Sequence, residues 1–177
     1  MNLNRDKLKA AVHYICGSVD DPIKLGATKL NKILWYSDII AFLKWSNPIT
    51  GETYEKRQYG PMPSHIYGIL EELRQEGKIH ISDVGHFGRV KKQYVCLEEP
   101  TTEIFNADEI SIIDQMISSI CDKHTATSIS DMTHDAIWEM ARIGEPIPYV
   151  AVLASALGEL NGSDMEWAKR EASRFAG

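Results

Sequence analysis

Apolar residues along the first hundred positions recur at two periods. Leu8, Ala11, Val12, Ile15 and Cys16 keep helical spacing, and Gly17 stands where such a helix stops. Residues 28–45 predict a second helix. It carries Leu30, Ile33, Leu34 and Ala41 on one side, with Trp35, Ile39, Phe42 and Leu43 around the rest. A helix apolar nearly all round is one that neighbours bury on several sides. Asn47-Pro48-Ile49-Thr50-Gly51 reads as a turn, and residues 53–59 alternate as a short strand that Gly60-Pro61-Met62-Pro63 ends. Pro63 suits the first position of a helix, where a missing N–H costs nothing. Ile66, Ile69, Leu70 and Leu73 form its stripe, and Gly77 closes it. Residues 79–84 and 90–97 read as strands joined by Gly85-His86-Phe87-Gly88. Together with 53–59 they predict a three-stranded antiparallel sheet.

The remainder reads as helix. Asn106 with Glu109 forms a capping box, and Phe105 with Ile110 a hydrophobic staple, ahead of Ile113, Met116, Ile117 and Ile120. Ser128 and Ser130 offer caps for a shorter helix that places Trp138 in the core. Pro148 opens an apolar helix over 150–157. Asn161-Gly162 breaks the chain before Ser163 and Glu166, a capping-box pattern ahead of Trp167, Ala168, Ala172 and Phe175. The expected class is α+β: a mainly helical single domain with a small antiparallel sheet. Helix, helix, helix, hairpin makes the N-terminal half winged-helix-like, with 62–77 as the recognition helix and 79–97 as the wing.

Composition narrows the class further. The chain has 177 residues, 44% hydrophobic and 25% charged, which excludes a collagen-like repeat, a coiled-coil rod and a long disordered tail. Cys16, Cys96 and Cys121 are odd in number and widely spaced, so no disulfide framework is expected and a reducing compartment suits them. No signal peptide and no membrane-length apolar run is visible, so the expected location is cytoplasmic with no membrane partner. Residues 1–100 carry 14 Lys/Arg against 12 Asp/Glu, whereas residues 101–177 carry 5 against 13. An acidic half repels phosphate, and Glu71 and Glu72 sit on the outward side of the recognition helix, so nucleic acid is an unfavoured partner. A DNA-binding winged-helix transcriptional regulator stays as the alternative.

Candidate chemistry is sparse. Cys121, His124 and His134, or His80, Asp83 and His86, lack the paired spacings of structural zinc sites, so neither metal nor cofactor is expected. Cys121 lies on an apolar stripe and Cys96 in a strand, where cysteine acts as a small hydrophobe. The nucleophile-elbow, metalloprotease and phosphate-loop motifs are absent, and no enzyme is expected. The most distinctive stretch is residues 56–67, a strand, a Tyr-Gly-Pro turn and a helix. It reads either as a rigid corner or as a binding corner. In the binding reading Arg57, Tyr59, Gly60, Pro61, Met62, Pro63 and His65 are the contact candidates. Trp35 and Tyr36 are their neighbours, one of the two being core because adjacent helical side chains diverge. His134 and Trp138, four apart, predict a structural pair on one helical face.

Several of these segments resemble a known family. Lys29-Leu30-Asn31-Lys32-Ile33-Leu34-Trp35-Tyr36, Ile49-Thr50-Gly51-Glu52-Thr53-Tyr54 and Gln58-Tyr59-Gly60-Pro61-Met62-Pro63 are similar to the Panacea domain of SocA-like antitoxins. Ser130, Thr133, His134 and Trp138, then Gly144 and Ile147, continue the match in order. Lys29, Lys32, His134 and Trp138 fall within that motif as structural positions. The resemblance implies a domain over 1–157 with a helical tail at 158–177. It implies a non-enzymatic antitoxin that binds and neutralises a cognate toxin, delivery of the toxin to a protease being one route the family uses. Unlike some members, this sequence is not expected to carry a fused DNA-binding or zinc-ribbon domain.

Overall fold

The computed structural model describes residues 2–86, 88–133, 136–152 and 162–175. Among them the chain runs through α1 (Arg5–Ser18), a 3-10 turn at Pro22–Lys24, α2 (Gly26–Trp45), β1 (Tyr54–Arg57), β2 (Gly60–Pro63) and α3 (Ile66–Gln75). It continues with β3 (Ile79–His86), β4 (Arg89–Cys96), α4 (Ala107–Lys123), α5 (Ala126–Met132), α6 (Ala136–Met140) and α7 (Gly162–Phe175). This is the mainly helical α+β domain that the hydrophobic periods predict. α2 is its axis, packed by α1, α4, α5, β2 and β4. Leu30, Ile33 and Leu34 of α2 meet Leu8, Ile15, Ile69, Leu73 and Ile113 in one core, each at most 1% exposed.

The expected three-stranded sheet is instead two separate two-stranded hairpins, β1–β2 and β3–β4. Backbone chemistry explains the difference. In the β1–β2 register Tyr54 faces Pro63 and Lys56 faces Pro61. Pro61 and Pro63 have no N–H to give, so β2 cannot extend the ladder outward. Growth occurs on the other edge, by a segment far away in sequence. Gly144 N donates to Lys56 O (2.9 Å), Lys56 N to Glu145 O (2.9 Å) and Ile147 N to Tyr54 O (2.7 Å). Residues 60–63, expected to end a strand and open a helix, are a strand in their own right, and α3 starts only at Ile66. The second hairpin is longer than its sequence signal, since Gly85 pairs with Val90 and His86 with Arg89.

The Asn106 capping box is present, with Asn106 Oδ1 accepting from Glu109 N (2.9 Å) and Glu109 Oε2 from Asn106 N (3.0 Å). Glu109 also accepts from Lys7 of α1 at 2.6 Å. Asn106→Ala is therefore expected to cost about 1–2 kcal/mol in denaturant unfolding, through the lost cap and a loosened Glu109. α5 is capped by Thr125 and Ser128 rather than by Ser128 and Ser130, and Trp138 lies on the separate short α6. Ser130 is buried inside α5. Residues 150–152 begin the helix expected over 150–157, whose remainder lies outside the described residues. α7 starts at Gly162, so Ser163 lies within it rather than capping it. The helix packs on α6, buries Ala168 completely, and ties Lys169 to Glu145 at 2.5 Å.

The order α1, α2, α3, β3–β4 follows the winged-helix sequence of elements. The outward carboxylates of α3 are engaged within the protein, however. Glu72 pairs with Arg5, Glu76 with Lys9, and Glu71 with Arg74 at 2.6 Å. Two of these pairs tie that face to α1.

Candidate functional site

The β1–β2 turn is short and rigid. Gln58 and Tyr59 span it, and Gly60 takes a left-handed φ of +97°, a conformation glycine adopts without strain. Tyr59 projects with 62% of its surface exposed. Two distant segments touch this hairpin. Thr133 lies against Gly60, and Gly144 bonds Lys56. One residue before each contact stands an exposed apolar side chain, Met132 (55%) and Ile143 (65%). Trp138 lies between, half-buried on the core, its indole N–H donating to Arg57 O at 3.1 Å and its ring 3.8 Å beneath Lys56 Nζ. Met132 and Ile143 are thus sequence neighbours of residues that touch the hairpin, and Arg57 is held beside the turn by Glu55 at 2.7 Å.

Beneath this surface three buried lysines hold backbone carbonyls. Lys29 donates to Cys121 O in the last turn of α4 (3.1 Å), Lys56 to Glu139 O in α6 (3.3 Å) and Lys32 to Pro61 O of β2 (3.0 Å). Each amine satisfies a carbonyl in a helix's last turn or on a strand edge. Burial pushes Lys29 below the ordinary lysine range and brings Lys32 down to about 7.

A second polar network closes the far end of the hairpin. Asp38, fully buried on α2, accepts from Thr50 N (2.7 Å), Thr50 Oγ1 (2.5 Å) and Tyr54 OH (2.8 Å). Tyr149 OH lies 3.3 Å from the same carboxylate and donates to Glu52 O at 2.6 Å. Glu52, also buried, accepts from Thr53 N (2.6 Å), from His65 N (3.2 Å) at the start of α3, and contacts His65 Nδ1 (2.9 Å). Desolvation raises Asp38 to about 6, against the pull of its hydrogen bonds. The rings around it pack tightly, with Trp35 5.0 Å from Tyr54 edge-on and 6.4 Å from Tyr149 stacked.

This scaffold carries the segments singled out by the sequence, and the profile described as antitoxin SocA-like, Panacea domain, matches residues 30–139. The chain belongs to the SocA-like antitoxin family. No curated protein and no solved structure matches it. The Panacea match runs from inside α2 to α6 and so takes in both hairpins, while Lys29, residues 143–147 and Tyr149 lie just outside it.

The contact candidates divide by depth in the Panacea domain. Trp35, Gly60, Pro61 and Pro63 are buried, Tyr36 and Met62 half-buried, and Arg57, Tyr59 and His65 exposed. Of the aromatic pair, Trp35 is the core member. Tyr59 and His65 lie at opposite ends of the hairpin, so the corner presents two separate surfaces. His134 lies outside the described residues, and Trp138 is half-buried rather than core. Asp38, Met132, Ile143 and Tyr149 were not anticipated as parts of the site. A lone carboxylate in a helix apolar all round was the signal for Asp38, since such a group must be satisfied from other elements. Burial raises the thiols of Cys16, to about 12, and of Cys96 and Cys121, which keeps them protonated and poor nucleophiles. Among the described residues no cluster of three metal-ligating side chains occurs, and no helix is long and apolar enough to cross a membrane.

Proposed function

We propose that this protein is an antitoxin that neutralises a protein toxin by direct binding through the β1–β2 turn. The observation that carries the reading is the exposed Tyr59 in a two-residue turn of a chain in an antitoxin family, with exposed Met132 and Ile143 each next in sequence to a residue that contacts the same hairpin. Tyrosine is a frequent interface anchor, and a fixed turn presents it at small entropic cost. The buried lysines and the Asp38 network hold the scaffold, leaving the turn to make contact. The DNA-binding alternative finds less support, because the carboxylates of α3 repel phosphate and Glu72 is paired with Arg5 of α1.

The test takes the product of the neighbouring open reading frame, once its toxicity is established, and co-expresses it with Tyr59→Ala, Met132→Asp and Ile143→Asp variants shown by melting to be folded. Each is expected to weaken the purified complex by about tenfold or more and to lose growth rescue. Full rescue by all three would move the docking surface elsewhere, with α7 the next place to substitute.

A further inference from the structure

Gly60 is gripped from two sides by different elements. A Cβ built on it would collide with Lys32 Nζ, from α2, and with Thr133 Oγ1, at the end of α5. Lys32 is 1% exposed, and its amine reaches Pro61 O at 3.0 Å. Thr133 is 2% exposed and donates to Ser130 O at 2.8 Å, which fixes it to its own helix. Among the described residues Lys32 has no carboxylate partner. Burying an ammonium costs stability, and methionine would fill the same space without that cost. Packing alone therefore does not account for a lysine here. What the lysine adds is a directed donor. The outer edge of β2 has no N–H at Pro61 or Pro63, and a long cationic side chain is well suited to hold the carbonyl that remains.

We propose that Lys32 is a positioning residue for partner binding: with Thr133 it clamps Gly60-Pro61, and so holds the adjacent Tyr59 in place before the partner arrives. This rests on the reading of the turn as the docking centre. A turn already ordered spares the complex the entropy of ordering it, so loosening the clamp weakens binding without unfolding the protein.

Two measurements test the clamp. The first needs no partner. Amide hydrogen exchange at Gly60 is expected to quicken about tenfold in Lys32→Met and in Thr133→Val, with melting temperatures no lower than a few degrees below the parent. Unchanged exchange in the variants that fold would overturn the proposal. The second is the affinity for the purified product of the neighbouring open reading frame whose toxicity the co-expression test establishes, for Lys32→Met, Tyr59→Ala and the double variant. Lys32→Met is expected to lose about tenfold alone and almost nothing more once Tyr59 is gone, because it acts through that residue. Additive losses would mean that Lys32 acts elsewhere, and would overturn the proposal while leaving the function standing. A Tyr59→Ala variant that binds like the parent would remove the docking reading, and the positioning role with it.

Discussion

Asp38→Ala is expected to destabilise the fold by about 3–5 kcal/mol, the largest loss for a single polar substitution in this chain. Its carboxylate accepts from the Thr50 backbone, the Thr50 hydroxyl and the Tyr54 hydroxyl, all in a site closed to water. Removing it orphans these donors and separates the loop before β1 from α2. Asp38→Asn keeps an acceptor and is expected to cost less. It also isolates the charge. Burial raises Asp38 to about 6 from an ordinary value of 3.8, so the folded state binds this proton more tightly than the unfolded chain does. The resulting stability is fully present below about pH 4 and is lost as the pH rises to about 6. Two pH units correspond to about 3 kcal/mol. Urea unfolding of the parent across this window should therefore decline relative to Asp38→Asn. Parallel curves would show that Asp38 titrates as an ordinary aspartate.

Lys32 has the opposite sign and a higher window. Desolvation brings its amine down to about 7 from 10.5, so the unfolded chain binds this proton more tightly than the folded one. Stability from this group is lowest below pH 7 and returns as the pH rises. Between pH 7 and 9 the gain is about 2 kcal/mol. Lys32→Met is expected to abolish that rise and to be at least as stable as the parent at pH 7. Burial lowers Lys29 and Lys91 as well, and they add to the rise in both proteins, so the difference between the curves reports Lys32 alone. A parent that shows no excess gain over Lys32→Met would place the ammonium in contact with water.

Helices declared themselves most fully. The Asn106–Glu109 box lay in four consecutive residues, and the stripes of α1, α2 and α3 recur within one or two turns, so local chemistry settles them without help from the rest of the chain. β2 did not. Gly-Pro-Met-Pro has poor strand character, and it is extended because Lys32 and β1 hold it from either side. The candidate site was legible to the same degree. Tyr59 was visible as a tyrosine in a tight turn, whereas Thr133 and Gly144, next to the exposed Met132 and Ile143, reach the hairpin only through contacts spanning more than seventy residues.

Sequence by itself therefore determined the α+β class, the order of the helices, the family and the turn that carries Tyr59. Tertiary structure decided which strands pair, which of Trp35 and Tyr36 is core, and which distant residues contact the hairpin. The physical reason is range. Periodicity, capping and turn preference act within a few residues. The partner of a strand edge or of a buried amine is chosen by whichever distant segment satisfies its hydrogen bonds while closing the core, as residues 144–147 do for β1 and Lys32 does for Pro61.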